Sequence, residues 1–264
     1  MWHLIKNQNY CKLWETSYVN ELVQLAQWMS GWEEGTNTIM FIKKEDIPTA
    51  CWWDVTYGIV LFSYRPENKD PNRTRLTVGG DRVHYPGDCR TPTVDLPTEK
   101  MLQNSVISTP GYRYMTFDIK YFYLNKHMKR SEYIRLKLSD LPTDFIQHYK
   151  LTSKTTTDLY VYIKIYKGMY GLPQSGILAQ KLLEQLLKGW GYRHSSLTPR
   201  YWKHDWWPIY LNLFVDNFGV NYAREQHSKH LVASLSEHYT ISWDWECKRY
   251  LGMTLDCYYE KHEV

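Results

Sequence analysis

A chain of 264 residues can hold one large domain or two modest ones and can bury a sizeable core. Its 32 Lys and Arg against 28 Asp and Glu leave a net charge of +4, compatible with a polyanionic ligand but far below the density of a histone-like binder. No run approaches the ~18 apolar residues of a membrane span, and the five scattered cysteines form no CxxC pair, which excludes a zinc ribbon and points to reduced thiols. Met1–Tyr10 lacks the basic-then-apolar layout of a signal peptide, so an intracellular protein, cytoplasmic or nuclear, without a membrane partner is expected.

Apolar residues recur at helical spacing from Leu13 to Met29, and Gly31 is expected to stop that helix. A short apolar stretch, Thr38–Ile42, precedes the β-branched and aromatic run Val55–Tyr64. With Arg73–Val78 across a charged, Pro-flanked tip, that run predicts a β-hairpin over 55–80. A helix is expected over Thr98–Ser108, then a strand from Tyr114 entering a turn near Tyr123. Residues 126–160 are mixed and polar, Tyr160–Tyr166 alternates as a strand, and Gln174–Trp190 reads as a helix. Ile209–Tyr222 holds two apolar arms around one polar step; a helix over Arg224–His238 and a strand pair around Lys248–Tyr259 close the chain. Strands and helices do not alternate regularly, so the fold class expected is α+β with an antiparallel sheet packed on helices.

The polar step between the two arms is Asp216-Asn217. A carboxylate among so many apolar residues is costly to bury without a partner or metal, whereas a tight strand–turn–strand would put it at an exposed tip. Read alone, Asp-Asn serves equally as a turn dipeptide. A second carboxylate, Asp118, ends the apolar stretch Met115-Thr-Phe-Asp118. Two carboxylates at the ends of neighbouring strands are a donor set for Mg²⁺, which takes one or two carboxylates with water and substrate phosphates. His227 and His230 lie on a polar helix face with no further ligand nearby in sequence and are expected to face solvent.

Five blocks then occur in one order: Arg73-Thr-Arg-Leu-Thr-Val-Gly-Gly80; Phe117-Asp-Ile-Lys-Tyr-Phe-Tyr-Leu-Asn125 with Tyr133-Ile-Arg-Leu136; Gly168-Met-Tyr-Gly-Leu-Pro-Gln-Ser-Gly176; Phe214-Val-Asp-Asn217; and Tyr239-Thr-Ile241 through Tyr250-Leu-Gly-Met253. In this order they resemble the motifs of reverse transcriptases of LTR retrotransposons, most like the copia type, over roughly residues 55–258. The resemblance implies a right-hand polymerase fold: fingers over 1–111, palm over 112–264 with a fingers insert at about 126–165. It implies templated addition of dNTPs to a primer on an RNA or DNA template.

On the same resemblance, Asp118 and Asp216, with the backbone of Ile119, would bind two Mg²⁺ ions, for which Mn²⁺ could substitute. Arg73 and Arg75 would meet the incoming triphosphate, Tyr123 would lie under its sugar, and Gln174 would touch the nucleotide. Tyr250, Leu251 and Gly252 would contact the primer–template. Tyr123, Gln174 and the two arginines have plainer alternatives: a core tyrosine at 123, helix capping at 174, solvated arginines on a hairpin. Asn217 departs from the pattern, standing where the family has the second aspartate of a catalytic pair, so weakened activity is expected. Nothing after the fifth block resembles a thumb or an RNase H, parts that other segments of a Pol polyprotein would supply, and weak, salt-dependent grip on nucleic acid is expected. The alternatives are a catalytically dead nucleic-acid-binding remnant, and a decayed copy or interaction protein without a nucleic-acid role.

Overall fold

The computed structural model describes residues 11–27, 29, 34–66, 70–91, 93–196, 198 and 200–263. Met1–Tyr10, the expected helix stop Gly31 and hairpin-tip residues 67–69 lie outside them. The chain is a mixed α+β protein. In order, its principal elements are α1 (Cys11–Leu25), β1 (Ile39–Ile42), β2 (Thr56–Tyr64), β3 (Asn72–Val78), α2 (Leu96–Ser108), β4 (Arg113–Ile119), β5 (His127–Lys137), α3 (Thr143–His148), β6 (Tyr160–Lys167) and α4 (Ser175–Gly189). There follow β7 (Tyr192–His194), β8 (Tyr201–His204), β9 (Ile209–Phe214), β10 (Asn217–Tyr222), α5 (Glu225–Ser236), β11 (Ile241–Asp244), β12 (Arg249–Tyr250) and β13 (Met253–Thr254).

Two compact units divide the chain. The first runs through Cys89 and resumes over Tyr123–Leu178; the second takes Arg90–Phe122 and continues from Ala179. The sequence expectation drew its boundary at 111/112 with an insert over 126–165. The structure instead groups α2 with β4, and it gives the first unit a longer return segment that includes Gly168–Gly176.

The first unit is built on a five-stranded sheet in the order β1-β6-β5-β2-β3. Alternation sorts its faces: Val161, Ile163 and Ile165 of β6 and Ile134 and Leu136 of β5 are buried with Leu22, Phe41, Leu76 and Phe145 in one core. Full burial of each such aliphatic side chain contributes ~1.5–3 kcal/mol. The sheet edge at β3 is closed by α1. Ser17 Oγ accepts from Thr74 N at 2.9 Å, and Glu21 Oε1 accepts from Leu76 N at 3.0 Å. The match is geometric: four helical residues advance ~6 Å, and two strand residues ~6.8 Å. Val78 N, the next outward donor, is taken by the carbonyl of Tyr170 at 2.8 Å. These three successive outward donors are therefore unavailable as a template for further strands.

The second unit carries a six-stranded sheet, β11-β4-β10-β9-β8-β7, antiparallel throughout. Phe117 and Phe218 stack at 4.2 Å between β4 and β10. Beneath one face, α2 is N-capped by Asp95, whose Oδ1 accepts from Thr98 N at 2.8 Å, and carries the fully buried Glu99. Glu99 accepts from the hydroxyl of Tyr114, from Gln103 Nε2 at 3.3 Å and from Asn212 Nδ2 at 3.0 Å. This hydrogen-bonded hub binds α2 to β4 and β9. It also requires glycine at 219, where a Cβ would stand 1.9 Å from the Tyr114 hydroxyl.

Burial is the largest influence on Glu21 and raises its carboxyl from 4.5 to about 7, against the opposing pull of the Leu76 N–H and of Arg75 and Arg73. The folded state thus holds this proton more tightly than the unfolded chain. The stabilisation is fully present below about pH 4.5 and is lost as pH rises through about 7, a span worth up to ~3 kcal/mol. Glu21→Gln keeps an oxygen for Leu76 N, so its melting temperature should vary less than the parent's between pH 4.5 and 8 and exceed it at pH 8. Calorimetric melts across that range check this, and parallel pH curves for the two proteins would contradict it.

Candidate functional site

The two carboxylates singled out in the sequence lie together in the second unit. Asp118 is the next-to-last residue of β4, and in the antiparallel register its direct partner on β10 is Asn217; on its other side it pairs with Ser242 of β11. The β9–β10 hairpin turns through two residues, Val215 and Asp216, since Phe214 pairs with Asn217. Ile119 N donates to the carbonyl of Asp216 at 2.9 Å, tying the hairpin tip to the end of β4. Asp118, Asp216 and Asn217 are all half-buried, and Asn217 Nδ2 donates to Asp216 Oδ1 at 2.9 Å.

The turn does not use Asp-Asn as its central dipeptide; the turn residues are one position earlier. Val215 has φ 60°, at the first central position of a two-residue hairpin, where glycine is the unstrained choice. A β-branched residue there costs ~1–3 kcal/mol. That strain is what sets Asp216 at the tip beside Asp118 and leaves Asn217 within the ladder.

In the first unit, Arg75 and Tyr123 meet around a residue the sequence reading gave no role. The Arg75 guanidinium lies 4.6 Å above the ring of Tyr170, and Tyr123 meets the same ring edge-on at 5.5 Å. Tyr170 was within reach of inference, because an aromatic between Gly168 and Gly171 is a ring presented on tight backbone. Arg73 is also half-buried, and its pKa is lowered, first by burial and then by Arg75. Both arginines therefore belong to a shared, partly desolvated cluster with Glu21 and are not simply solvated. Gln174 is buried just ahead of α4 and donates to Glu132 Oε1 at 3.1 Å, so its amide is spent on a strand of its own unit and not on a helix cap. Burial is also the main cause of the raised Glu132 carboxyl.

Two expectations need correction. Tyr250 does not present its ring to solvent: it is buried and packs edge-on against Tyr114 at 6.2 Å. Leu251 and Gly252 form the turn between β12 and β13, both with positive φ; Gly252 is exposed, whereas Leu251 is half-buried against the cluster of Tyr114 and Tyr250. His227 is likewise buried, and His230 is half-buried. The loop after β8 lays Trp207 over the start of α5, parallel to His227 at 5.3 Å and edge-on to His230 at 4.5 Å, with His204 stacked on the same indole at 4.6 Å. Burial lowers the pKa of all three imidazoles, so the pair forms a neutral aromatic packing surface.

The chain matches no protein-family model and no curated protein sequence. Among the described residues, no group of three or more His, Cys, Asp or Glu is gathered as for a metal ion, and no helix is long and apolar enough to cross a membrane. A pair of carboxylates does fit Mg²⁺, which completes its octahedron with water and ligand phosphates more often than with an all-protein cage.

The register also has an electrostatic consequence. Asp at position 217 would face Asp118 directly across the ladder, a like-charge pair that costs ~1 kcal/mol, and would lose the amide's hydrogen bond to Asp216. Asn217→Asp should therefore melt lower than the parent in EDTA, recover when Asp118→Asn is added, and gain more from Mn²⁺ than the parent does. Thermal melts with chelator and with Mn²⁺ check this; equal melting temperatures in EDTA would contradict it.

Proposed function

We propose that this chain is the fingers-and-palm part of a retrotransposon-type reverse transcriptase whose polymerase site has been weakened by Asn217. The observation that carries the reading is the juxtaposition of Asp118 and Asp216 on the adjoining ends of β4 and the β9–β10 hairpin. The order of the five sequence blocks supports it further. So does the Arg75–Tyr170–Tyr123 cluster, a cationic and aromatic surface suited to a nucleotide.

In this reading Asp118 and Asp216 would hold Mg²⁺, with Mn²⁺ as substitute, and the ion would supply charge neutralisation for nucleotidyl transfer. Asp118 and Asp216 would provide hard oxygen ligands from the adjoining ends of β4 and the hairpin. Asn217 contributes an amide in place of a third charge, and its N–H holds one oxygen of Asp216. Arg73 and Arg75 would bind phosphate, Tyr123 would bear on a sugar, and Gln174 would act through Glu132, to which it is bonded. Leu251 and Gly252 would offer turn backbone to a primer strand.

A second reading rests on Asn217 itself: a nucleic-acid-binding remnant of the same fold that no longer catalyses. One missing charge beside a divalent ion in a water-poor site is worth several kcal/mol, and ~3–4 kcal/mol corresponds to roughly 10²–10³-fold in rate.

Single-nucleotide primer extension separates the two. The chain as it stands should extend a primer weakly or not at all, Asn217→Asp should gain at least ~100-fold, and adding Asp118→Ala should abolish the gain. A reverted chain that binds primer–template but fails to extend it with either Mg²⁺ or Mn²⁺ would overturn the polymerase reading in favour of the remnant.

A further inference from the structure

The first unit has a basic cavity whose lining includes, of the five sequence blocks, only the tail of the second. Most of its sheet is antiparallel, but β2 and β5 run parallel and touch through only two pairs, Thr56 with Ile134 and Tyr57 with Arg135. Beyond them the strands part. β2 continues with β3 as its partner, and β5 continues with β6. The fork opens a solvent-facing cavity of about 400 Å³, with the diverging residues Gly58 and Leu136 in its wall.

Register decides what lines it. Paired residues point to the same face of a sheet. Tyr57 is paired with Arg135, Arg135 and Lys137 are two apart on β5, and Lys137 is paired with Tyr160. These four therefore share the face opposite the core residues Ile134, Leu136 and Val161. Arg82, from the short helical turn Gly80–Arg82 after β3, joins them. The Arg82 guanidinium lies 5.5 Å from the Tyr57 ring and that of Arg135 lies 4.9 Å from the Tyr160 ring. The Tyr57 hydroxyl is anchored on Asp81 at 2.8 Å.

Three cations thus converge on one cavity with a single carboxylate, Asp140, in its lining. None of the three forms an ion pair with another described residue. Stacking on a tyrosine orients a guanidinium while leaving its in-plane N–H donors for an anion, and those donors match phosphate oxygens in geometry. A cavity of this volume takes several phosphate groups in series more readily than a single small anion.

We propose that the fork of β2 and β5 is a binding site for a chain of phosphate groups, held by Arg82, Arg135 and Lys137. The phosphates come either from the backbone of a single-stranded nucleic acid or from a free polyphosphate. The site lies wholly within the first unit and does not rest on the polymerase reading, since it uses neither Asp118 nor Asp216.

The test is fluorescence anisotropy of fluorescein-labelled oligothymidylate with the full chain, in EDTA across a salt series, with sodium tripolyphosphate titrated in parallel by calorimetry. The parent is compared with Arg135→Gln combined with Lys137→Gln, and with a charge-matched control, Lys229→Gln combined with Lys261→Gln. All four side chains are exposed, and circular dichroism verifies that the variants are folded. The site variant should bind oligothymidylate at least ~10-fold more weakly than the parent. Its slope of log affinity against log salt should fall by about 1.4, for two lost contacts at ~0.7 each on a single strand, while the control stays near the parent. Tripolyphosphate binding that is lost in the site variant, without oligothymidylate binding by the parent, would assign the site to the free polyanion. Equal weakening by the control, or no binding of either probe by the parent, would overturn the proposal.

Discussion

Much of the second unit depends on the register of β4 against β10. With Phe117 on Phe218 and Asp118 on Asn217, one face of the ladder carries Tyr114, Thr116 and Asp118 beside Asn217, Gly219 and Asn221. A slip of one residue would exchange the faces. Tyr114 would leave Glu99, Gly219 would no longer accommodate the Tyr114 hydroxyl, and Asp118 would point away from the hairpin tip. The stacked phenylalanines and the Glu99 hub oppose that slip from opposite sides of the sheet, one by packing and the other by costing a buried carboxylate its Tyr114 donor. The same contacts that make the unit stable therefore fix the position of its candidate site.

The site itself balances two opposed demands. Three carboxylates around one ladder step would bind a divalent cation best but repel one another without it. The chain carries two carboxylates and an amide, and the amide donates a hydrogen bond where a third charge would have repelled. On the proposed reading, stability without metal rises and the electrostatic gain available to a developing charge falls. Val215 moves in the other direction: its positive φ is a local cost that positions Asp216. Strain at that one residue is a reason to look for function there.

Elements with a clean period were legible in the sequence. The helices at Leu96–Ser108, Ser175–Gly189 and Glu225–Ser236 and the hairpin arms at Ile209–Phe214 and Asn217–Tyr222 fall within a few residues of expectation. The strand His127–Lys137 was missed, because both of its faces are buried in the middle and basic at the ends, which erases the alternation that marks a strand. The short strands Tyr192–His194, Tyr201–His204 and Ile241–Asp244 exist only as neighbours in a sheet and carry little local signal. Partners distant in sequence were out of reach altogether. Glu99 is secured by Tyr114 and by Asn212, the latter 113 positions away, and His227 is buried by Trp207 from a loop that composition alone would leave in water. Asp118, Asp216 and Asn217 were legible as residues; that Asn217 faces Asp118 directly was not, because register is a property of the pair of strands.

The most direct measurement of the central claim is anomalous diffraction near the manganese absorption edge from crystals of this chain grown with Mn²⁺. The account predicts a peak within bonding distance of carboxylate oxygens of both Asp118 and Asp216, and its disappearance in Asp118→Ala. Well-ordered crystals with the hairpin resolved and no peak at those carboxylates, or with manganese bound only elsewhere, would contradict it.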